Sequence, residues 1–153
     1  VALKESGNNL EVTGIRVVKY VQDRVHQFPA DNDMVMFRLA DILLMKAEAI
    51  LRGGTATAGP GGYGATAAAI VNNIRTHPSR GLSALSTVDL NAVYKERGFE
   101  LYWENWRRND MIRFGTFLNA RTLKGATTSE RLLFPIPNQQ LTINPNLTQN
   151  PGY

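Results

Sequence analysis

Glu96-Arg97-Gly98-Phe99-Glu100-Leu101-Tyr102-Trp103-Glu104, followed by Asn105-Trp106 and then Arg107-Arg108-Asn109-Asp110-Met111-Ile112-Arg113-Phe114-Gly115, is the stretch on which the fold turns. Its apolar residues recur at helical spacing. Val93, Tyr94, Leu101 and Tyr102 form one stripe, and Phe99, Trp103 and Trp106 form a second. The spacing predicts a helix over residues 90 to about 105, with Thr87 or Asp89 as its cap. A short helical turn over residues 107–114 follows, broken at Gly115. Large aromatics at helical spacing belong to a core. Phe99, Leu101 and Trp103 are therefore expected to be largely buried.

Upstream, Phe37, Ala40, Leu44, Ala47 and Leu51 fall at spacings of three and four. Leu39, Ile42, Leu43 and Ile50 widen that stripe until most of the helix is apolar, so it packs on more than one side. Pro29-Ala30-Asp31-Asn32-Asp33 reads as a turn leading into its cap, and Gly53-Gly54 ends it. A loop rich in Gly, Ala and Thr over residues 55–64 leads to a second helix over residues 65–76. Ala67, Ile70, Val71 and Ile74 are its buried face, and Pro78 bars its continuation. Leu10, Val12, Ile15, Val17 and Val18 suggest extended structure near the start, punctuated by Gly14. The tail from Leu132 holds Pro135, Pro137, Pro145 and Pro151. Prolines at these positions predict an extended run, neither helix nor central strand, anchored by Leu133, Phe134, Ile136 and Leu147. The fold class is mostly α.

Composition narrows the function classes. With 153 residues, 43% hydrophobic and 20% charged, the chain amounts to one domain or a piece of a larger one. Its net charge of +4 comes from Lys and Arg spread along the chain, which is not a nucleic-acid footprint. There is no cysteine, which excludes disulfides, Cys-ligated zinc and thiol catalysis. No apolar run approaches the roughly 20 residues that span a bilayer.

Few residues invite a chemical role. Glu96, Glu100 and Glu104 repeat on one helix face. A carboxylate pair of that kind serves glycoside hydrolysis, but Arg97, Arg107 and Arg108 stand at ion-pair spacing, and a ladder of charges along the helix accounts for every member. Trp103, Trp106, Arg107 and Arg108 combine aromatic and basic groups, as a nucleic-acid or sugar platform does. Core burial with Arg capping the interface is the preferred explanation, because large aromatics at helical spacing bury strongly. Tyr63, in the Gly-rich loop, is the candidate glycan-binding residue; it either stacks on a sugar or tucks against the helices and pins the loop. His26 and His77 have no ligand-spaced partner. Asp31-Asn32-Asp33 lacks the Gly and the distal Glu of a calcium loop. Residues 59–64 lack the Gly-Lys-Ser/Thr of a phosphate loop. No catalytic residue, metal site or cofactor is called for. Asn146-Leu147-Thr148 fits a glycosylation sequon, a match that short sequences produce cheaply.

Three segments carry a family resemblance. They are Glu96 to Glu104 with Arg107 to Gly115, then Leu133-Phe134-Pro135-Ile136-Pro137, then Asn144-Pro145-Asn146-Leu147-Thr148-Gln149-Asn150-Pro151-Gly152-Tyr153. They resemble the C-terminal part of the SusD/RagB family, and the likeness runs from about Gly14 to Tyr153. It implies a SusD-like helical fold with tetratricopeptide-like helix pairs and an extended, proline-containing C-terminal tail. It also implies that residues 1–153 are the C-terminal portion of such a domain, whose signal and lipid-carrying cysteine lie upstream.

By that resemblance the protein is not an enzyme. It would bind nutrient glycans at the outer-membrane surface of a Bacteroidetes cell, lipid-anchored in full length, and deliver them to a SusC-like TonB-dependent transporter. No nucleic acid is implied. Two other readings stand beside it: a helical-repeat scaffold for a protein partner, and a glycoside hydrolase using Glu100 or Glu104.

Overall fold

The computed structural model describes residues 17–21, 25, 33–59 and 63–153. The chain divides into two units, Val1–Arg38 and Leu39–Tyr153. In the first, Val17 and Val18 are exposed and outside any strand. The expectations for Leu10, Val12, Gly14, Ile15, His26 and residues 29–32 lie outside the described residues. Asp33 and Phe37 both precede the first described helix, so neither belongs to it.

The second unit is helical. Its elements are α1 (Leu39–Leu51), α2 (Ala67–Arg75), α3 (Leu90–Glu100), α4 (Arg107–Arg113), a 3-10 turn (Ser129–Leu132) and α5 (Asn138–Ile143). No strand occurs among the described residues; Arg121 and Lys124 form one isolated bridge. No helix among them is long and apolar enough to cross a membrane.

Helix α1 packs on both α2 and α3, and α3 packs on α4. Leu43, Leu44, Ala47, Ala67, Ile70, Val71 and Val93 form the core, with Tyr63, Leu85 and Val88 against it. Burial of a side chain such as Leu44 or Ile70 stabilises by about 1.5–3 kcal/mol. The helix ends follow local chemistry. Gly53, at φ +100°, lets α1 close with Gly53 N–H on Ile50 C=O and Gly54 N–H on Ala49 C=O, the paired bonds of a Schellman ending. Thr66 caps α2 by accepting from Ala69 N–H at 3.1 Å. Asp89, not Thr87, caps α3 by accepting from Ala92 N–H at 2.7 Å.

Helix α3 stops at Glu100, earlier than its apolar spacing predicts. Trp103 and Asn105 adopt φ of 67° and 65°, which interrupts helical backbone before α4. The residues between retain helical spacing without helical backbone, so pattern alone cannot place this boundary.

The tail is extended at its prolines but not throughout. Pro137 stands at the cap of α5, where its fixed φ suits a helix start. The prolines act on the residues beside them, and 138–143 contain none. The expected apolar anchors are also not the main attachment, since Phe134 is 68% exposed and Leu133 50%. Polar side chains hold the segment instead. The Gln149 amide accepts from Ile136 N–H at 2.8 Å and donates to Ile136 C=O at 2.9 Å. Asn150 Nδ2 donates to Phe134 C=O at 2.7 Å, and the Tyr153 hydroxyl donates to Leu133 C=O at 3.0 Å. Gly152, at φ +85°, is required there: a Cβ would stand 2.3 Å from Glu130 Cγ.

Candidate functional site

The chemistry-bearing residues gather where α1, α3 and α4 meet. Asp41 and Glu48 sit seven apart on α1, hence on one face. Both are buried in a helix whose other residues, Lys46 apart, are apolar. Arg97 rises from α3 between them and Asp110 of α4, and is 1% exposed. Its Nη1 donates to Asp41 Oδ1 at 2.8 Å and its Nε to Asp110 Oδ1 at 2.8 Å. Arg113 continues the chain of charges, donating to Asp110 Oδ1 and to Glu48 Oε1, each at 2.8 Å. Arg52 completes it on Glu48 Oε1 at 2.9 Å. Three carboxylates thus face three guanidinium groups, and the cluster is neutral overall.

Charge balance matters because a buried, uncompensated ion costs several kcal/mol. Burial works against the charge of Arg113, yet hydrogen bonds to Asp110 and Glu48 and their attraction hold its pKa above the ordinary value. The second oxygens of Asp41, Glu48 and Asp110 are buried without a hydrogen-bond partner.

A second cluster joins α2 to α3. Glu96 is buried, and both of its oxygens are occupied: Arg75 binds one at 2.8 Å and Arg80 the other at 3.0 Å. Arg80 also pairs with Glu100. The expected ladder along one helix is therefore corrected for Glu96 and Arg97. The charges do pair, but between elements: Arg97 reaches Asp41 and Asp110, while Glu96 and Glu100 reach Arg75 and Arg80. Spacing along a helix does not reveal partners that another helix supplies.

The aromatic half of the motif is also corrected. Leu101 is buried, but Phe99 is 65% and Trp103 67% exposed. Tyr102 and Trp103 stand with ring centroids 6.1 Å apart beside a cleft of about 250 Å³. Gly98 and Asn105 line it, with Leu101 and Arg97 beneath. Arg107 closes its edge, donating to Tyr94 C=O at 3.0 Å with its guanidinium 3.9 Å over the Tyr94 ring. Gly98 makes that approach possible, because a Cβ there would meet Arg107 Nη1 at 2.8 Å. Arg108 turns to the tail, donating to the carbonyls of Arg131 and Leu132 at 3.0 Å and covering the Phe134 ring at 4.0 Å.

Tyr63 is half-buried and packs against the core. His77 bonds Ser79 Oγ at 2.7 Å in a surface turn. No group of acidic, His or Cys side chains among the described residues could hold a metal ion. Sequence reasoning missed Asp41, Glu48 and Asp110. The available signal was two acids, two helical turns apart, in an apolar run.

Residues 2–125 match the SusD family. The starch-binding protein SusD of Bacteroides thetaiotaomicron is 31% identical over 92% of this chain and 26% of its own length. SusD-like protein P38 of Formosa agariphila is 29% identical over 91% of this chain and 28% of its own. Among solved structures, a laminarin-binding SusD-like protein superposes with a TM-score of 0.61 at 34% identity, over 78% of this chain and 23% of that one. A SusD superfamily protein of Parabacteroides distasonis gives 0.66 at 33% identity, over 84% and 29%. The chain spans about a quarter of the length of these relatives. On the family match and these relatives together, the chain belongs to the SusD family.

Proposed function

We propose that this chain is part of a surface protein that binds nutrient glycans and passes them to a SusC-like TonB-dependent transporter in the outer membrane. The observation that carries this reading is the family match together with relatives named for binding starch and laminarin. In this reading residues 1–153 are the C-terminal portion of the protein, a lipid anchor outside this chain holds it at the cell surface, and its work is capture rather than cleavage.

The carboxylates favour a binding role. Glu96 and Glu100 are tied to Arg75 and Arg80 and so act as structural anions. An acid–base pair for glycoside hydrolysis needs two carboxyl groups flanking an open substrate path. Tyr63, set against the helices, is proposed to hold its loop.

Affinity electrophoresis in gels containing starch or laminarin, followed by a reducing-sugar assay, tests the proposal. Retarded migration without release of reducing ends is the expected result. Release of reducing ends that disappears in Glu100→Gln would overturn the binding-only reading. Capture of a protein partner with no glycan retarding the chain would favour a protein-interaction scaffold.

A further inference from the structure

We propose that the turn Arg121-Thr122-Leu123-Lys124, with the cation-covered rings beside it, docks on an anionic lipid surface. Leu123 enters the bilayer and the flanking cations meet headgroup phosphates. The proposal takes from the proposed function only that a membrane lies beside the protein. Its test contains no glycan, so either can fail alone.

The cations of the helical unit sort into two sets. Arg52, Arg75, Arg80, Arg97 and Arg113 each form an ion pair with a carboxylate. Among the described residues Arg108, Arg121, Lys124 and Arg131 do not, and their contacts are with neutral groups. Arg108 donates to the carbonyls of Arg131 and Leu132. Arg121 Nη1 stands 3.3 Å from Met111 Sδ. Lys124 Nζ donates to Gly125 C=O at 3.1 Å and to Thr127 Oγ1 at 3.2 Å. Arg131 covers the Tyr153 ring at 5.4 Å. Residues 116–153 hold Arg121, Lys124 and Arg131 against one acidic side chain, Glu130, so the positive surplus is local.

These cations are linked through shared rings. Arg108 stands 4.0 Å from the centre of the Phe134 ring and 5.0 Å from that of Phe117, and Lys124 stands 6.0 Å from the Phe117 centre. Phe134, Arg108, Phe117 and Lys124 thus follow one another across the surface. The turn lies at the end of that row. Arg121 and Lys124 exchange two backbone bonds of 2.9 Å, which fixes Thr122 and Leu123 at its tip. Leu123 is 97% exposed, so its side chain contributes no packing to its own chain.

This combination selects the partner. Leucine is under-represented among the residues that anchor protein interfaces, where aromatics and Arg lead and fill pockets. A bilayer accepts a lone projecting apolar side chain, and binding there grows with buried apolar area and with attraction to anionic lipid. Arg and Lys place their stems along the apolar boundary and their charges at headgroup level. Each cation near an anionic leaflet adds to the attraction. Half-exposed rings such as Phe134 and Tyr153 suit the same boundary.

Co-sedimentation of the chain with vesicles tests this, using equal parts phosphatidylglycerol and phosphatidylcholine beside phosphatidylcholine alone. The expected result is binding to the anionic vesicles only. It should fall steeply as salt rises from about 0.1 M to 1 M, which shortens the screening length from about 10 to 3 Å. Arg121→Glu with Lys124→Glu should weaken it by about thirtyfold or more, and Leu123→Ser by about tenfold, with circular dichroism unchanged. Lys95→Glu, on the exposed side of α3, and Trp103→Ser should leave it within about twofold. Because the chain has no cysteine, Leu123→Cys and Lys95→Cys each take a single polarity-sensitive dye. The dye at 123 should shift to the blue on anionic vesicles and the dye at 95 should not. No binding to anionic vesicles overturns the proposal, and so does equal binding to phosphatidylcholine alone. A loss in Lys95→Glu as large as in the double variant overturns it by showing a mere net-charge effect. A loss confined to Trp103→Ser places the contact on another face. Displacement by millimolar inorganic phosphate marks a site for a free anion instead. A dye at 123 that stays in water while the chain binds overturns the insertion of the tip.

Discussion

Replacing Arg97 with Ala is the sharpest test of what holds the helices together. The guanidinium is buried and bridges Asp41 and Asp110 with two bonds of 2.8 Å. Unit charges about 4 Å apart attract by about 4 kcal/mol at an effective dielectric of 20, and burying each ion costs several kcal/mol. The intact cluster is therefore close to balanced and contributes little net stability. Removing only the cation is a different matter. Asp110 keeps Arg113 at 2.8 Å, but Asp41 loses its charged partner altogether. Breaking a buried pair in this way costs about 3–5 kcal/mol. That is a large share of the 5–15 kcal/mol typical of a domain. For a chain of this size it lowers Tm by about 6–20 °C. Arg97→Lys should recover only part of the loss, since one ammonium cannot form two fixed bonds in the guanidinium plane. The paired change Arg97→Met with Asp41→Leu should recover more, because it removes the stranded charge. Urea unfolding followed by circular dichroism measures all three. An Arg97→Ala loss below about 1 kcal/mol would refute burial of the cluster, since that is the range of solvent-exposed pairs. A paired variant no better than the single one would refute the stranded-charge account.

Trp103→Ala in this chain alone should change stability by no more than about 0.5 kcal/mol, as an exposed substitution does; a loss of about 3–5 kcal/mol would show a core ring instead. Gln149→Ala removes two bonds to Ile136 and should cost about 1–3 kcal/mol, read as faster amide exchange at Ile136; unchanged exchange would discard the clasp. Glu130 has its pKa lowered by a hydrogen bond from Thr128, its own backbone N–H and the Arg131 charge. A lowered folded pKa stabilises above the unfolded carboxylate value and ceases to do so as pH falls through the folded one. Acid should therefore loosen the tail in wild type, and Glu130→Gln should flatten that dependence; identical acid profiles would remove Glu130 from the account.

The helices were legible because burial on one side imposes a period that local sequence records. Ile70 and Val71 of α2, Leu43, Leu44 and Ala47 of α1, and Val93 of α3 all lie in the core as their spacing predicts. Boundaries were less legible. At Trp103 the left-handed turn is a tertiary matter, and the aromatic spacing runs through it unchanged. Helix α5 was missed because flanking prolines were read as acting on residues they do not touch. Ion partners were missed for a different reason. Asp41 and Arg97 are 56 residues apart, and no local rule connects them. Exposure of Phe99 and Trp103 could not be read either, since the spacing of an aromatic stripe does not record how much of it neighbouring elements cover.

The signature segment makes sense as architecture once each polar residue is traced to its bond. Glu96 joins α3 to Arg75 of α2 and to Arg80; Arg97 joins α3 to α1 and α4; Arg107 lies across Gly98; Arg108 holds the carbonyls before the tail; and Arg113 reaches Glu48. Asn72 and Gln149 repeat the device without charge, each presenting an amide to both the N–H and the C=O of a distant residue, Leu85 and Ile136. Apolar packing tolerates exchange of shape for similar volume. Planar groups that bond two or three partners do not, because a shorter or differently shaped substitute leaves a buried atom unpaired. A small apolar core sets the helices side by side, and these directional bonds fix their register and attach the loops. Side chains already engaged in that way are poorly placed to grip a sugar. On the proposed reading, glycan contacts are therefore to be sought away from Glu96, Arg97 and Asp110, on surfaces whose polar groups still point outward.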